Sequence, residues 1–430
     1  MTIKNRSMLF IFRYCLTLLF ISGSIVLFAQ PQTQRDSYTR YELLAPETHS
    51  FRIIYDVSAT TSGAIYYYNT LRKGSEHQID AVYDRMTGTA LKWTIVDGAH
   101  AKTNGHPRAS DDYEYLKVIL ARPVPEGGIA RLRIDKTYKD AKSYFAKDGQ
   151  IIFDRSLGIK RNSVVLPAGY ELVSCNYPSQ VDLEDSGRLK LSFMNRGAVG
   201  VPYKIVAKPL VENKKTLASK TDELPWPAYQ PKPSGRDQSH ARLNYKINER
   251  AYQNRDIVYF LQQPESHDFR LYHDYTEFRE GVDKYVNVVR KGSKASNPSA
   301  KILDTGEILK VETLKGQAVA DKGIDIGGEI TPETEVVVIW FDAVKKGESV
   351  RLRIEETYTD ANRYLLYRDE LIWDRSFGRN RNTVILPEGW YLTTNAIPAI
   401  IDQTETGQPR LRYVNDRPDN IAVFIKGKRR

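Results

Sequence analysis

The feature that most constrains this chain is that it repeats itself. Residues 131–178 align without a gap on residues 351–398, and roughly half of the paired positions are identical. The match runs upstream, where Pro46–Arg52 returns as Pro264–Arg270 and Arg72–Ser75 as Arg290–Ser293. Downstream, Tyr203–Lys208 falls opposite Val423–Lys428. Two copies of one unit take up nearly all of the chain, so no further segment is left for a separate catalytic domain.

Within each copy the apolar period is two. Phe51, Ile53 and Tyr55 alternate with Arg52, Ile54 and Asp56, and Leu132 and Ile134 alternate with Arg131 and Arg133, as Leu352 and Ile354 do in the second copy. Tyr115–Leu120 and Glu335–Trp340 are runs fit for buried strands. Turn residues interrupt the pattern every ten or so positions; Leu166-Pro167-Ala168-Gly169 and Leu386-Pro387-Glu388-Gly389 place proline and glycine as a type I turn prefers. Thr137–Lys147 and Thr357–Tyr367 are the segments expected to be short helices. The reading is all-β: two tandem homologous β-sandwich domains, 41–208 and 259–428, joined by a Pro-rich linker, 209–258. The centre of that linker, Leu224–Gly235, holds four prolines and is expected to be extended and semi-rigid.

Residues 1–29 have the order of a secretory signal peptide: Lys4, Arg6 and Arg13, then an apolar run from Tyr14 to Phe28, then Ala29. Its removal lowers the formal charge from +10 to about +7 and leaves Cys175 as the one cysteine. An export route without a disulfide points to a bacterial envelope protein, in the periplasm, at the cell surface or outside the cell, with no integral membrane span after signal removal. Cys175 sits in an apolar stretch and faces Asn395 in the alignment, which suits a buried structural thiol better than a nucleophile. The only dense basic run, Lys426–Arg430, reads as a solvated terminus, and no nucleic-acid-binding motif accompanies the charge.

The most repeated polar cluster is Asp154, Arg155 and Arg161, matched by Asp374, Arg375 and Arg381. An aspartate beside arginines suits an anion or sugar clamp, and equally an internal ion pair that fixes a loop. Among 27 tyrosines and 5 tryptophans, Trp373, and Trp226 and Tyr229 in the linker, are candidates for a stacking surface facing a glycan or an envelope protein. His49 and His267 repeat on strands as capping or core residues. No zinc-ligand spacing, nucleophile elbow or phosphate-binding glycine loop occurs, so no cofactor is expected.

The order of a glycine turn, the Arg131–Ile134 strand, Tyr138, an acidic-aromatic stretch and the Leu166–Gly169 turn resembles the N-terminal β-sandwich of the H-E-x-x-H zinc aminopeptidases. The likeness covers about 80 residues of each copy and rests on turn punctuation. The zinc helix and the G-x-M-x-N loop of that family are missing, so the resemblance implies a shared non-catalytic scaffold. The expectation is an exported, non-catalytic binding or assembly module. The alternatives are a hydrolase of glycans or peptides working at an interdomain cleft, and an accessory subunit that docks a separate enzyme.

Overall fold

The computed structural model describes residues 32–211, 255–416 and 420–430, without the side chains of residues 36–37. The 1–29 leader and most of the 209–258 linker, with Trp226 and Tyr229, lie outside the described residues. The first copy contributes β1 (Gln34–Leu43), β2 (Ser50–Ala59), β3 (Tyr66–Arg72), β4 (Glu76–Asp84), β5 (Trp93–Asp97), β6 (Tyr113–Ile119), β7 (Ala130–Lys139), β8 (Tyr144–Lys147), β9 (Gln150–Leu157), β10 (Arg161–Val165), β11 (Tyr170–Leu183), β12 (Leu189–Met194) and β13 (Val201–Pro209). The second contributes β14 (Asp256–Leu261), β15 (Asp268–Glu277), β16 (Lys284–Val288), β17 (Lys294–Ile302), β18 (Lys310–Lys315), β19 (Glu335–Trp340), β20 (Val350–Thr359), β21 (Tyr364–Tyr367), β22 (Glu370–Phe377), β23 (Arg381–Ile385), β24 (Trp390–Gln403), β25 (Pro409–Val414) and β26 (Ile421–Arg429). The fold is all-β. Among the described residues helix is confined to Gly98–Thr103, Gln317–Asp321 and two single 3-10 turns.

Strand neighbours follow one order in both copies. It runs β4-β7-β2-β1-β10-β12-β11-β13-β9-β8 in the first, antiparallel except for the parallel pair β1–β10. The second repeats it as β17-β20-β15-β14-β23-β25-β24-β26-β22-β21, with β14–β23 parallel. A separate three-stranded sheet belongs to each, β3-β6-β5 and β16-β19-β18. The inward side chains of β1, β2 and β9, Tyr41, Phe51 and Phe153, pack ring against ring, as Tyr259, Phe269 and Trp373 do in the second copy.

The two longest strands join the halves. β11 pairs β13 through its first half and β12 through its second, and it also pairs β24. There Cys175 stands opposite Ile401, Ser179 opposite Ala399 and Val181 opposite Asn395. Asn395 is the repeat counterpart of Cys175, and Ile401 that of Val181, so exchanging the copies leaves the pairing unchanged. Ser179 faces its own counterpart. This is the self-complementary contact of a two-fold dimer, built within one chain. One hydrogen-bonded ladder of 20 strands therefore runs through both halves.

Two sequence expectations are corrected. Thr137–Lys147 and Thr357–Tyr367 are not helices but the end of one strand, a tight turn and the start of a hairpin. The Asp140 carboxylate accepts from the backbone N–H groups of Lys142 and Ser143 at 3.1 and 3.2 Å, and this local bonding bends the chain out of any helix. The basic run Lys426–Arg430 is not a solvated tail either. Its first four residues belong to β26, with Lys426 on Glu370 at 2.7 Å, Arg429 on Glu265, and Arg430 on Glu171 at 2.8 Å.

Candidate functional site

Strand β7 presents Leu132, Ile134, Lys136 and Tyr138 to the interior, because residues two apart share a face. A charged side chain at an inward position of such a strand is costly unless it is partnered. Lys136 is 6 % exposed. Its ammonium donates to Asn69 Oδ1 on β3 at 2.6 Å and lies 5.4 Å from the centroid of the Tyr138 ring, with no carboxylate of the described residues in salt-bridge range. Burial, helped by the neighbouring Arg155 guanidinium, pulls its pKa down to about 7.

Lys136 borders a pocket of about 530 Å³ between the sheet of β1, β2 and β7 and the strand β3. The walls are aromatic: Tyr41, Tyr55, Tyr67 and Tyr138 surround the lysine, and Ile53 and Ile159 add aliphatic surface. Gln34 fixes two of these rings, donating to the Tyr55 hydroxyl at 3.0 Å and accepting from Tyr67 at 2.7 Å. Gln32 pairs with both backbone groups of Tyr68. Arg155 enters from β9, and its guanidinium donates to Asp140 Oδ2 at 3.1 Å.

The second copy has the same pocket with different contents. It is about 190 Å³, and Tyr259, Tyr285, Asn287, Tyr358 and Arg375 occupy the places of Tyr41, Tyr67, Asn69, Tyr138 and Arg155. Glu356 stands where Lys136 stands, His273 where Tyr55 stands, and Arg379 where Ile159 stands. Glu356 is 2 % exposed and accepts from Asn287 Nδ2 at 2.7 Å. The same asparagine thus offers its carbonyl to a lysine in one copy and its amide N–H to a carboxyl in the other. Burial raises the Glu356 pKa and lowers that of His273 to about 3, so both are held toward their neutral forms.

The residues singled out from the sequence fall in several places. Arg155 and Arg375 line the two pockets. Asp154 and Arg155 are neighbours on a strand and so face opposite ways; Asp154 is exposed, with Lys204 Nζ at 3.7 Å. The carboxylates that meet the arginines lie fifteen residues upstream, Asp140 for Arg155 and Asp360 for Arg375, the latter at 3.5 Å. Asp374 is buried beside Arg363, 3.6 Å away. Trp373 is fully buried, edge-on to Phe269 at 4.8 Å between ring centroids. His49 and His267 cap the 3-10 turns with φ of 54° and 57°, each ring bonded to the carbonyl of Tyr144 or Tyr364. Cys175 is buried in the β11–β24 junction with Sγ 3.3 Å from the Tyr177 carbonyl oxygen, and burial pushes its thiol pKa up.

Lys136 and Asn69 were not singled out from the sequence, although one signal was there. In the best-matched strand of the repeat, an inward position carries a cation in one copy and an acid in the other. Among the described residues no group of three or more His, Cys, Asp or Glu is placed to hold a metal ion, and no helix is long and apolar enough to cross a membrane.

No protein-family model and no curated protein matches the chain. Among solved structures it is similar to the M1 zinc metallopeptidase of Deinococcus radiodurans, with 13% identity over 42% of this chain and 42% of that one, at a TM-score of 0.28. A mutant of that enzyme with a bound tripeptide substrate gives 12% identity over 42% and 43%, again at 0.28. The C-terminal domain of the Streptococcus pyogenes antigen I/II-family protein AspA gives 8% identity over 80% and 93%, at 0.17. The chain thus spans less than half of the metallopeptidase's length. Likenesses this remote carry no argument about activity.

Proposed function

We propose that this chain is an exported, non-catalytic binding module that takes a small ligand into the first-copy pocket. The reading keeps residues 1–29 as a removed signal, and 41–208 and 259–428 as two homologous β-sandwich units joined by the 209–258 linker. One observation carries it: a buried lysine with no counter-ion among the described residues, at the edge of an aromatic pocket of about 530 Å³, within the usual size of small-molecule sites. The second pocket, at about 190 Å³, is below that size. In this reading Arg155 belongs to the ligand site, whereas Asp154, Asp374 and Trp373 serve the scaffold. The second copy completes the strand ladder and keeps a residual, filled version of the same cavity.

The twin pocket suggests the test. Ile159→Arg gives the first pocket the arginine that Arg379 supplies in the second. The mature chain and this variant are screened by ligand-observed NMR against small aromatic and aliphatic polar compounds. Compounds that bind the natural chain and are lost on Ile159→Arg support the site. If every binder is indifferent to the substitution, the pocket is not where ligands go.

A further inference from the structure

The binding reading leaves the ligand's chemistry open, and the side chains around Lys136 narrow it. Resting on that reading, we propose that the first-copy pocket binds a small organic acid, with the ligand's carboxylate against the Lys136 ammonium and its apolar or aromatic body between the tyrosine walls.

An ammonium has three donors, and Lys136 uses one on the neutral Asn69 carbonyl. Asp140, the acid that meets the pocket-lining Arg155, is already committed. It accepts from Ser143 Oγ at 2.8 Å and from Arg155 at 3.1 Å, and Arg72 lies 3.8 Å away. The charged and titratable side chains lining the pocket are Lys136, Arg72, Arg155, His106 and tyrosines. None is a carboxylate, and Asp140 meets Arg155 and Arg72 but not Lys136, which has no carboxylate partner among the described residues. The second copy shows the same cradle around a carboxyl group, since Glu356 stands at the equivalent position and Asn287 donates to it. A lysine ammonium with two donors left suits a monoanion. A phosphate group would need a denser set of donors, such as a glycine-rich loop at a helix start, which this pocket does not have. The walls and volume then ask for a body about the size of one aromatic ring with a short side chain.

Calorimetric titration of the mature chain with 4-hydroxyphenylacetate and with its uncharged amide, 4-hydroxyphenylacetamide, tests this. The acid is expected to bind at least about tenfold more tightly than the amide, the usual effect of one charge-assisted hydrogen bond. Lys136→Met should remove that preference, lowering the acid's affinity at least about tenfold. A second measurement needs no variant. At about pH 8 a bound carboxylate restores the Lys136 proton, so titrations in buffers of different ionisation heat should show proton uptake. His106, held below its usual range by burial, is neutral at that pH and does not contribute. Equal affinity for acid and amide overturns the carboxylate assignment while the binding module stands. Absence of binding by both compounds at millimolar concentration overturns the assignment and the pocket together.

Discussion

Lys136 and Glu356 are one position of the repeat carrying a base in one copy and an acid in the other, both buried, and their pH behaviour runs in opposite directions. The folded pKa of Lys136 is about 7, against about 10.4 for an unfolded lysine. Between those values the unfolded chain binds more protons than the folded one, so this lysine makes stability rise with pH. Glu356 has its folded pKa raised above the unfolded value, so across that interval its contribution falls as pH rises. Replacing Lys136 by methionine removes a buried charge and keeps the side-chain length. The variant is expected to be more stable at pH 7, by on the order of 1–3 kcal/mol, with the gap narrowing toward pH 9. Urea unfolding of both proteins at the two pH values would show it, and a constant gap would mean that Lys136 does not titrate in this range. The strand alternation that turns this residue inward was legible from Leu132, Ile134 and Tyr138. That the inward face there borders a cavity was not, because the opposing wall comes from β3, some seventy residues earlier in the chain.

At the scale of elements, the recurring device is the turn between β7 and β8. Asp140 follows the strand, accepts from the backbone N–H groups of Lys142 and Ser143 and from the Ser143 hydroxyl, and receives Arg155 from β9. Asp360 and Arg375 repeat the ion pair. Asp140→Asn keeps the local shape but weakens the hold on Arg155, so a loss of roughly 1–3 kcal/mol is expected. Burial alone would raise the Asp140 pKa, but the hydrogen bonds and Arg155 leave it below the ordinary value. The wild-type advantage is therefore present at neutral pH and lost as pH falls through that depressed folded pKa. Thermal melts of both proteins from neutral to acid pH check the sign; melting temperatures that never differ would remove Asp140 from the turn's energetics. The sequence displayed both copies of Asp154-Arg155 and invited pairing of neighbours. Adjacent strand residues face apart, so the partner had to come from another element, and sequence spacing does not reveal which one.

Across the whole molecule, the β11–β24 junction decides how the halves behave. Gln180 Nε2 donates to the Ala396 carbonyl at 2.8 Å, and Arg430 at the end of the second copy reaches Glu171 in the first. Glu171 is 1 % exposed, with Lys208 Nζ 3.3 Å away as its other cation. Arg430→Ala leaves this carboxylate buried with one weaker partner, and a cost on the order of 2–4 kcal/mol is expected. Calorimetry of the natural chain should show one cooperative transition, since the two halves share a ladder. Two separated transitions, or an Arg430→Ala midpoint equal to wild type, would mean that the junction does not couple them. The sequence by itself determined the duplication, the all-β class and the alternation of faces, because these depend on local periodicity and on comparing the chain with itself. Only the tertiary structure decided that the copies join through their longest strands, that the basic C-terminal run pairs with acids far away in sequence, and that one position in the twin cavities holds a lysine in one and a glutamate in the other. Each of those depends on side chains meeting across long sequence separations, where burial and electrostatics act but no local pattern does.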